Sequence, residues 1–144
     1  MINIVLDTNI IISSTLTPQG ITAKIMNLII DNEKTRIYYS SKIIAEYQKV
    51  LAYEKLKIAQ EIQTGIVNKI QIIGTLIEPV VSTIYLPHEP DRVFYDAAKS
   101  INAILITGNM KHFPKDSSIM LPTDFLNQFS LSIDECFMPY RVIK

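Results

Sequence analysis

The chain has 144 residues, a length that fits one domain and falls short of two domains of ordinary size. Lys plus Arg and Asp plus Glu are equal at 14, so the formal net charge is zero. That balance argues against a generally basic nucleic-acid coat and against a polybasic membrane anchor. Apolar residues make up 48% of the chain, enough for a substantial core and too many for a disordered polymer. The one cysteine, Cys136, excludes an internal disulfide and a Cys-based zinc cluster, and points to a reducing compartment. No apolar run approaches the ~20 residues needed to cross a bilayer. Met1-Ile2-Asn3-Ile4 lacks the basic start of a signal peptide, so the expected location is the cytoplasm.

Ile2 to Leu6 is a short apolar run ending in Asp7, the pattern of a strand covered on both faces. A short helix is expected from Asn9 to Leu16, closed by Thr17-Pro18-Gln19-Gly20. Ile21, Ile25, Leu28 and Ile29 then form a helical stripe ending at Asp31-Asn32. Arg36 to Tyr39 reads as a strand. Ser40 or Ser41 caps the next helix, whose inner face is Ile43, Ile44, Tyr47, Val50 and Leu51, with Glu46 at its edge. A further helix covers about Lys57 to Ile73, and Glu78 to Val81 reads as a strand. Asp91 opens a helix with Val93, Phe94, Ala97, Ala98 and Ile101 inward. Ala103 to Thr107 is a second apolar strand, stopped by Gly108-Asn109. A last strand over Ser118 to Leu121 and a short helix over Pro122 to Phe129 complete the core, and residues 130–144 take no assignment. Alternating strands and helices imply an α/β sandwich with a mostly parallel sheet of about five strands and right-handed crossovers. The expected organisation is one domain over 1–144 with its core in about 2–129. In such sheets ligands bind beyond the carboxyl ends of the strands, which directs attention to the polar residues found there.

The expected fold brings Asp7, Asp91 and Asn109 to that edge, and Glu46 projects from a helix that follows a strand. Asp7 ends the first strand; its ordinary role is a turn or helix cap, and its chemical role is a metal ligand, since a carboxylate after an apolar run is costly to bury unpaired. Glu46 is either a solvated edge residue or a second carboxylate aimed at the same point. Asp91 precedes a helix, where Asp is a leading cap, and one carboxylate can cap with one oxygen and ligate with the other. Asn109 follows the second apolar strand as a turn residue or as a neutral oxygen ligand. Asn9, Asp96 and Thr107 are candidates for a supporting shell, Thr107 by orienting a ligand, while the stripe calculation puts Asp96 off the apolar face, where it reads as solvated or as part of that shell. Carboxylates gathered at one point repel unless a divalent cation supplies positive charge, and oxygen-only ligands favour Mg²⁺ or Mn²⁺ over zinc. His112 and His88 read as loop residues, Cys136 as inert packing, and Tyr38-Tyr39 as strand packing. Four glycines cannot build a dinucleotide fingerprint, and no serine sits in a nucleophile elbow.

The same residues resemble the ordered motifs of PIN domains: Val5-Leu6-Asp7-Thr8-Asn9, Ser41-Lys42-Ile43-Ile44-Ala45-Glu46, Pro90-Asp91-Arg92-Val93-Phe94 and Leu105-Ile106-Thr107-Gly108-Asn109. The resemblance spans about Ile2 to Phe129 and is similar to that of VapC-like toxin components of bacterial toxin–antitoxin pairs. It implies a three-layer α/β/α sandwich and a Mg²⁺- or Mn²⁺-dependent ribonuclease, often a homodimer, that leaves a 5′-phosphate and a 3′-hydroxyl. In the toxin branch it also implies a small antitoxin protein that blocks the site. Asp7, Glu46 and Asp91 match the first three acids of the family. The chain departs at Asn109, where Asp is frequent, and at His112, where many members carry a further acid; these changes put a second metal in doubt. Two rival expectations stand beside the endoribonuclease. One is a catalytically weak PIN-like binding module acting through RNA or antitoxin contact. The other, an aspartyl-phosphate hydrolase on Asp7, is disfavoured because that chemistry usually has Asp where Asn9 stands.

Overall fold

The computed structural model describes residues 1–134. Five parallel strands, β1 (Ile2–Leu6), β2 (Thr35–Tyr39), β3 (Thr75–Leu76), β4 (Ile104–Ile106) and β5 (Ile119–Met120), form one sheet in the order β3-β2-β1-β4-β5. The helices are α1 (Thr8–Leu16), α2 (Ile21–Asp31), α3 (Ser41–Leu51), α4 (Gln60–Ile73), α5 (Arg92–Ser100) and α6 (Pro122–Asp134). The fold is α/β, as the alternation of elements implies. Cys136 and the unassigned stretch at 135–144 lie outside the described residues.

Sequence accounts for the centre of this sheet. Ile4, Val5 and Leu6 are consecutive and fully buried, which requires cover on both faces of β1. α5 packs against β1 and β4, while α2 and α4 pack against β2. Each fully buried Leu or Ile of this core contributes about 2–3 kcal/mol from removal of apolar surface from water. Tyr47 of α3 is also fully buried, and its hydroxyl donates to the Leu6 carbonyl at 2.5 Å. That bond ties α3 to the last residue of β1. Ser40 caps α3, its hydroxyl oxygen accepting from the Ile43 N–H at 3.2 Å.

One expected element is absent from its place. Glu78 to Val81 is not a strand; pairing stops at Leu76, and residues 77–86 cross over α5 without regular structure. Pro79 has no N–H to offer a ladder. The donors around it go to α5 instead: the Val80 N–H reaches Ser100 Oγ at 2.8 Å, and the Ser82 N–H reaches Asp96 Oδ2 at 3.2 Å. The Ser82 hydroxyl donates to Asp96 Oδ1 at 2.6 Å, and the Arg92 guanidinium donates to the carbonyls of Ser82 and Ile84. Asp96 is therefore buried rather than solvated, because this segment folds over a helix face that the apolar stripe alone leaves open.

Gly74 closes α4 and turns the chain into β3. A Cβ there would lie 2.7 Å from the Ile70 carbonyl oxygen and 2.9 Å from that of Ile37. Gly65, inside α4, has open space around the same position. Gly74→Ala should therefore destabilise the protein by about 1–3 kcal/mol. Gly65→Ala should stabilise it by about 0.5–1 kcal/mol through lower chain entropy and better helix propensity. Urea denaturation of the two variants measures both signs.

Candidate metal and active site

The site begins with strand register. Leu6 pairs with Ile106 in the parallel ladder, so the next residues, Asp7 and Thr107, emerge side by side. The Asp7 N–H donates to the Ile106 carbonyl at 3.0 Å, and the Thr107 hydroxyl donates to Asp7 Oδ2 at 2.7 Å. Asp7 Oδ1 accepts from the Thr8 N–H at 2.7 Å, so this residue caps α1 with one oxygen and turns the other toward β4. Asn9 adds its amide to Asp7 Oδ2 at 3.3 Å, and its own Oδ1 accepts from the Gly108 N–H at 2.9 Å. A Cβ at Gly108 would meet that Asn9 oxygen at 3.3 Å, so the glycine permits the two loops to close on each other. The Asn109 N–H donates to Thr107 Oγ1 at 2.9 Å, completing a chain from Asn109 through Thr107 to Asp7.

Asp91 arrives from the other side. It ends a 3₁₀ turn (Glu89–Asp91) and begins α5, yet its carboxylate makes no capping bond. Instead Asp91 Oδ2 lies 3.0 Å from His88 Nδ1 and 2.7 Å from His112 Nδ1. The two imidazoles stack with centroids 4.2 Å apart and planes at 19°. His112 sits in a 3₁₀ turn directly after Asn109, its N–H donating to the Asn109 carbonyl at 3.0 Å.

Asp7, Thr8, Asn9, Asp91, Asn109 and His112 line one open cavity of about 570 Å³. Ile12, Leu16 and Val50 form its apolar wall, and Tyr53 and Lys55 stand at its rim. Burial pushes the Asp7 carboxyl up to about 6 from an ordinary value of 3.8, and the Asp91 charge adds to that rise. Hydrogen bonds from Thr107 and Thr8 and the nearness of His112 pull the other way. The Thr8 hydroxyl oxygen is buried in this lining and has no hydrogen-bond partner among the described residues. A buried carboxylate whose pKa is raised by burial, a second carboxylate close enough to raise it further and an amide side chain make a donor set that fits a divalent cation.

Glu46 and Asp96 are not among the residues that line this cavity. Glu46 is half-buried on α3, one turn before Val50 and on the same helix face, and makes no hydrogen bond or ion pair among the described residues. Asp96 faces Ser82, away from the Asp7 cavity, and lines a separate groove with Arg92 and Val93. His88 and His112, read from sequence as loop residues, both contact Asp91. A signal for them existed: each lies three residues from a candidate ligand, in His88-Glu89-Pro90-Asp91 and Asn109-Met110-Lys111-His112.

Residues 3–111, which include Asp7, Glu46, Asp91 and Asn109, match the PIN domain family, and the chain belongs to it. It is 32% identical over 111 residues to an uncharacterized protein, MJ1680, of Methanocaldococcus jannaschii, covering 75% of this chain and 71% of the relative. Among solved structures it is similar to a chain in the crystal structure of VapBC2 from Rickettsia felis bound to a DNA fragment from their promoter. That match has a TM-score of 0.54 and 18% identity, and covers 83% of this chain and 97% of the other.

The raised Asp7 carboxyl carries a pH signature. Folding favours its protonated form, so its contribution to stability falls as pH rises from about 4 to about 6 and stays low above that. The full penalty is about 3 kcal/mol. In EDTA, Asp7→Asn should raise the thermal midpoint at pH 8, with the gain shrinking below pH 6 and nearly absent at pH 4. Differential scanning calorimetry across that range checks it.

Proposed function

We propose that this protein is a metal-dependent endoribonuclease, the toxin of a toxin–antitoxin pair. The observation that carries the reading is the gathering of Asp7, Asp91 and Asn109 on one cavity beyond the ends of β1 and β4. This lies where the strand order reverses between β1 and β4, the switch point at which open α/β sheets bind ligands. Membership in the PIN domain family and the likeness to a VapBC2 chain support the class of activity and the partner.

Asp7 and Asp91 hold the cation in this reading, with Asn109 assisting through its amide oxygen and Glu46 as the third carboxylate from α3. Mg²⁺ or Mn²⁺, when bound, lowers the pKa of water and neutralises charge on a phosphodiester. Thr107 fixes the direction of Asp7 by donating to Oδ2, and Asn9 fixes the loop that carries Asn109 by accepting from Gly108. At the rim, Lys55 gives a cation for a backbone phosphate, and Tyr53, 40% exposed with Lys55 Nζ 5.9 Å above its ring, gives a stacking face for a base. Balanced net charge leaves non-specific RNA affinity weak and salt-sensitive, so target choice relies on the site, on dimerisation and on RNA structure. No helix among the described residues is long and apolar enough to cross a membrane. A small antitoxin protein would act by covering this cavity.

The neutral amide of Asn109 favours a second reading, a PIN-type binding module with weak catalysis that acts through RNA or antitoxin contact. Two variants separate the readings. The purified protein should cut RNA with Mg²⁺ or Mn²⁺, stop in EDTA, and lose cleavage in Asp7→Asn; equal cutting by Asp7→Asn overturns the assignment. Asn109→Asp should raise the rate or the metal affinity if a missing acid limits the enzyme. An inert parent that Asn109→Asp fails to activate favours the binding module.

A further inference from the structure

We propose that His88, Asp91 and His112 form a binding site for a transition-metal dication of the Zn²⁺ or Co²⁺ class, selective against Mg²⁺, at the edge of the carboxylate cavity. The inference rests on the reading above only for Asp91 as a cation ligand. Among the described residues these three side chains bring ligand atoms within 4.8 Å of one another. Both histidine Nδ1 atoms converge on one carboxylate oxygen, at 3.0 and 2.7 Å. In a tetrahedral site with metal–ligand bonds of about 2.0–2.1 Å, neighbouring ligand atoms stand about 3.3 Å apart. An ion therefore enters by a small outward movement of the imidazoles, replacing the direct contacts to Asp91.

Ligand chemistry sets the selectivity. Imidazole nitrogen suits Zn²⁺, Co²⁺ and related ions, whereas Mg²⁺ prefers oxygen and releases water reluctantly. Two nitrogens and one carboxylate oxygen thus bias the site away from Mg²⁺. Three protein ligands leave at least one coordination position open, as in catalytic rather than structural metal sites. Asp7 and Asn109 line the same cavity as Asp91 and His112, so the open position adjoins the centre described above. The ligands are oriented before the ion arrives. Asp91 is not held by a capping bond, the two rings brace each other by stacking, and the Asn109 carbonyl anchors the His112 turn. The His88 and His112 side chains are 47% and 33% exposed, which leaves a path for the ion from solvent.

The test uses untagged full-length protein stripped of metal and titrated with Co²⁺, followed by its visible d–d absorption, with Zn²⁺ and Mg²⁺ as competitors. The expected result is one Co²⁺ per chain, displaced by equimolar Zn²⁺ and retained in a large excess of Mg²⁺. Affinity should fall at least about 10-fold in both His88→Ala and His112→Gln. His88 is exposed, so its variant keeps the fold, and circular dichroism verifies both variants. Unchanged Co²⁺ affinity in the two variants, or ready displacement by Mg²⁺, overturns the site. RNA cleavage is scored separately. Mg²⁺-dependent cutting without His-dependent Co²⁺ binding refutes this inference alone. His-dependent Co²⁺ binding without cutting in any ion refutes the nuclease reading alone.

Discussion

Because β1 and β4 run parallel with Leu6 beside Ile106, the residues that follow them, Asp7 and Thr107, leave the sheet as neighbours. The 2.7 Å bond between their side chains then fixes which way the Asp7 carboxylate faces. A slip of one residue in that register would exchange inward and outward side chains along β4 and remove the hydroxyl from the carboxylate. Continuous apolar cover on both faces of β1 and β4 opposes such a slip, since Val5, Leu6, Leu105 and Ile106 are all fully buried. The core and the chemistry are thus set by the same pairing. Tyr47 extends this coupling to α3 by binding the Leu6 carbonyl, one peptide away from Asp7.

Burying Asp7 opposes folding, and the surroundings offset only part of that cost. Thr8 and Thr107 stabilise the charged form, yet burial and the Asp91 charge leave the carboxyl raised. A site left in this condition is prepared for positive charge, because any cation placed near Asp7 and Asp91 recovers free energy that the bare protein lacks. The two halves of the cavity are built differently. Asp7, Thr107 and Asn109 are placed by strand ends, whereas Asp91 and His112 come from 3₁₀ turns and His88 stands at the start of the first of them. The first half is held by the sheet and the second by local turns.

Much of this was legible in the residues. Apolar runs ending in Asp7 and Thr107 gave the two central strands, and stripe periodicity gave the helices to within a few residues. Asp7 and Asn109 followed from the rule that sites lie beyond strand ends. The misreadings share a cause: side-chain contacts between distant segments override local pattern. Glu78 to Val81 has the composition of a strand, but Ser100, Asp96 and Arg92 take up the segment's polar groups. Asp96 reads as solvated until that segment covers it. His88 and His112 lie 24 residues apart in sequence, and only the packing of two turns makes them neighbours. Asp91 reads first as a helix cap, yet its carboxylate makes no capping bond and meets His88 and His112 instead.

The irregular path of residues 77–86 also governs how the sheet ends. β3 is the edge strand on its side and pairs through two residues only. Past it lie exposed Val80 and Val81, an apolar pair that in extended form would invite a strand from another molecule. Pro79 has no N–H, and those of Val80 and Ser82 are engaged by Ser100 and Asp96. The bonds that hold this segment to α5, and with it the approach to Asp91, thereby leave few backbone donors for a foreign strand. One set of contacts serves both to deliver a candidate ligand and to guard against edge-to-edge aggregation.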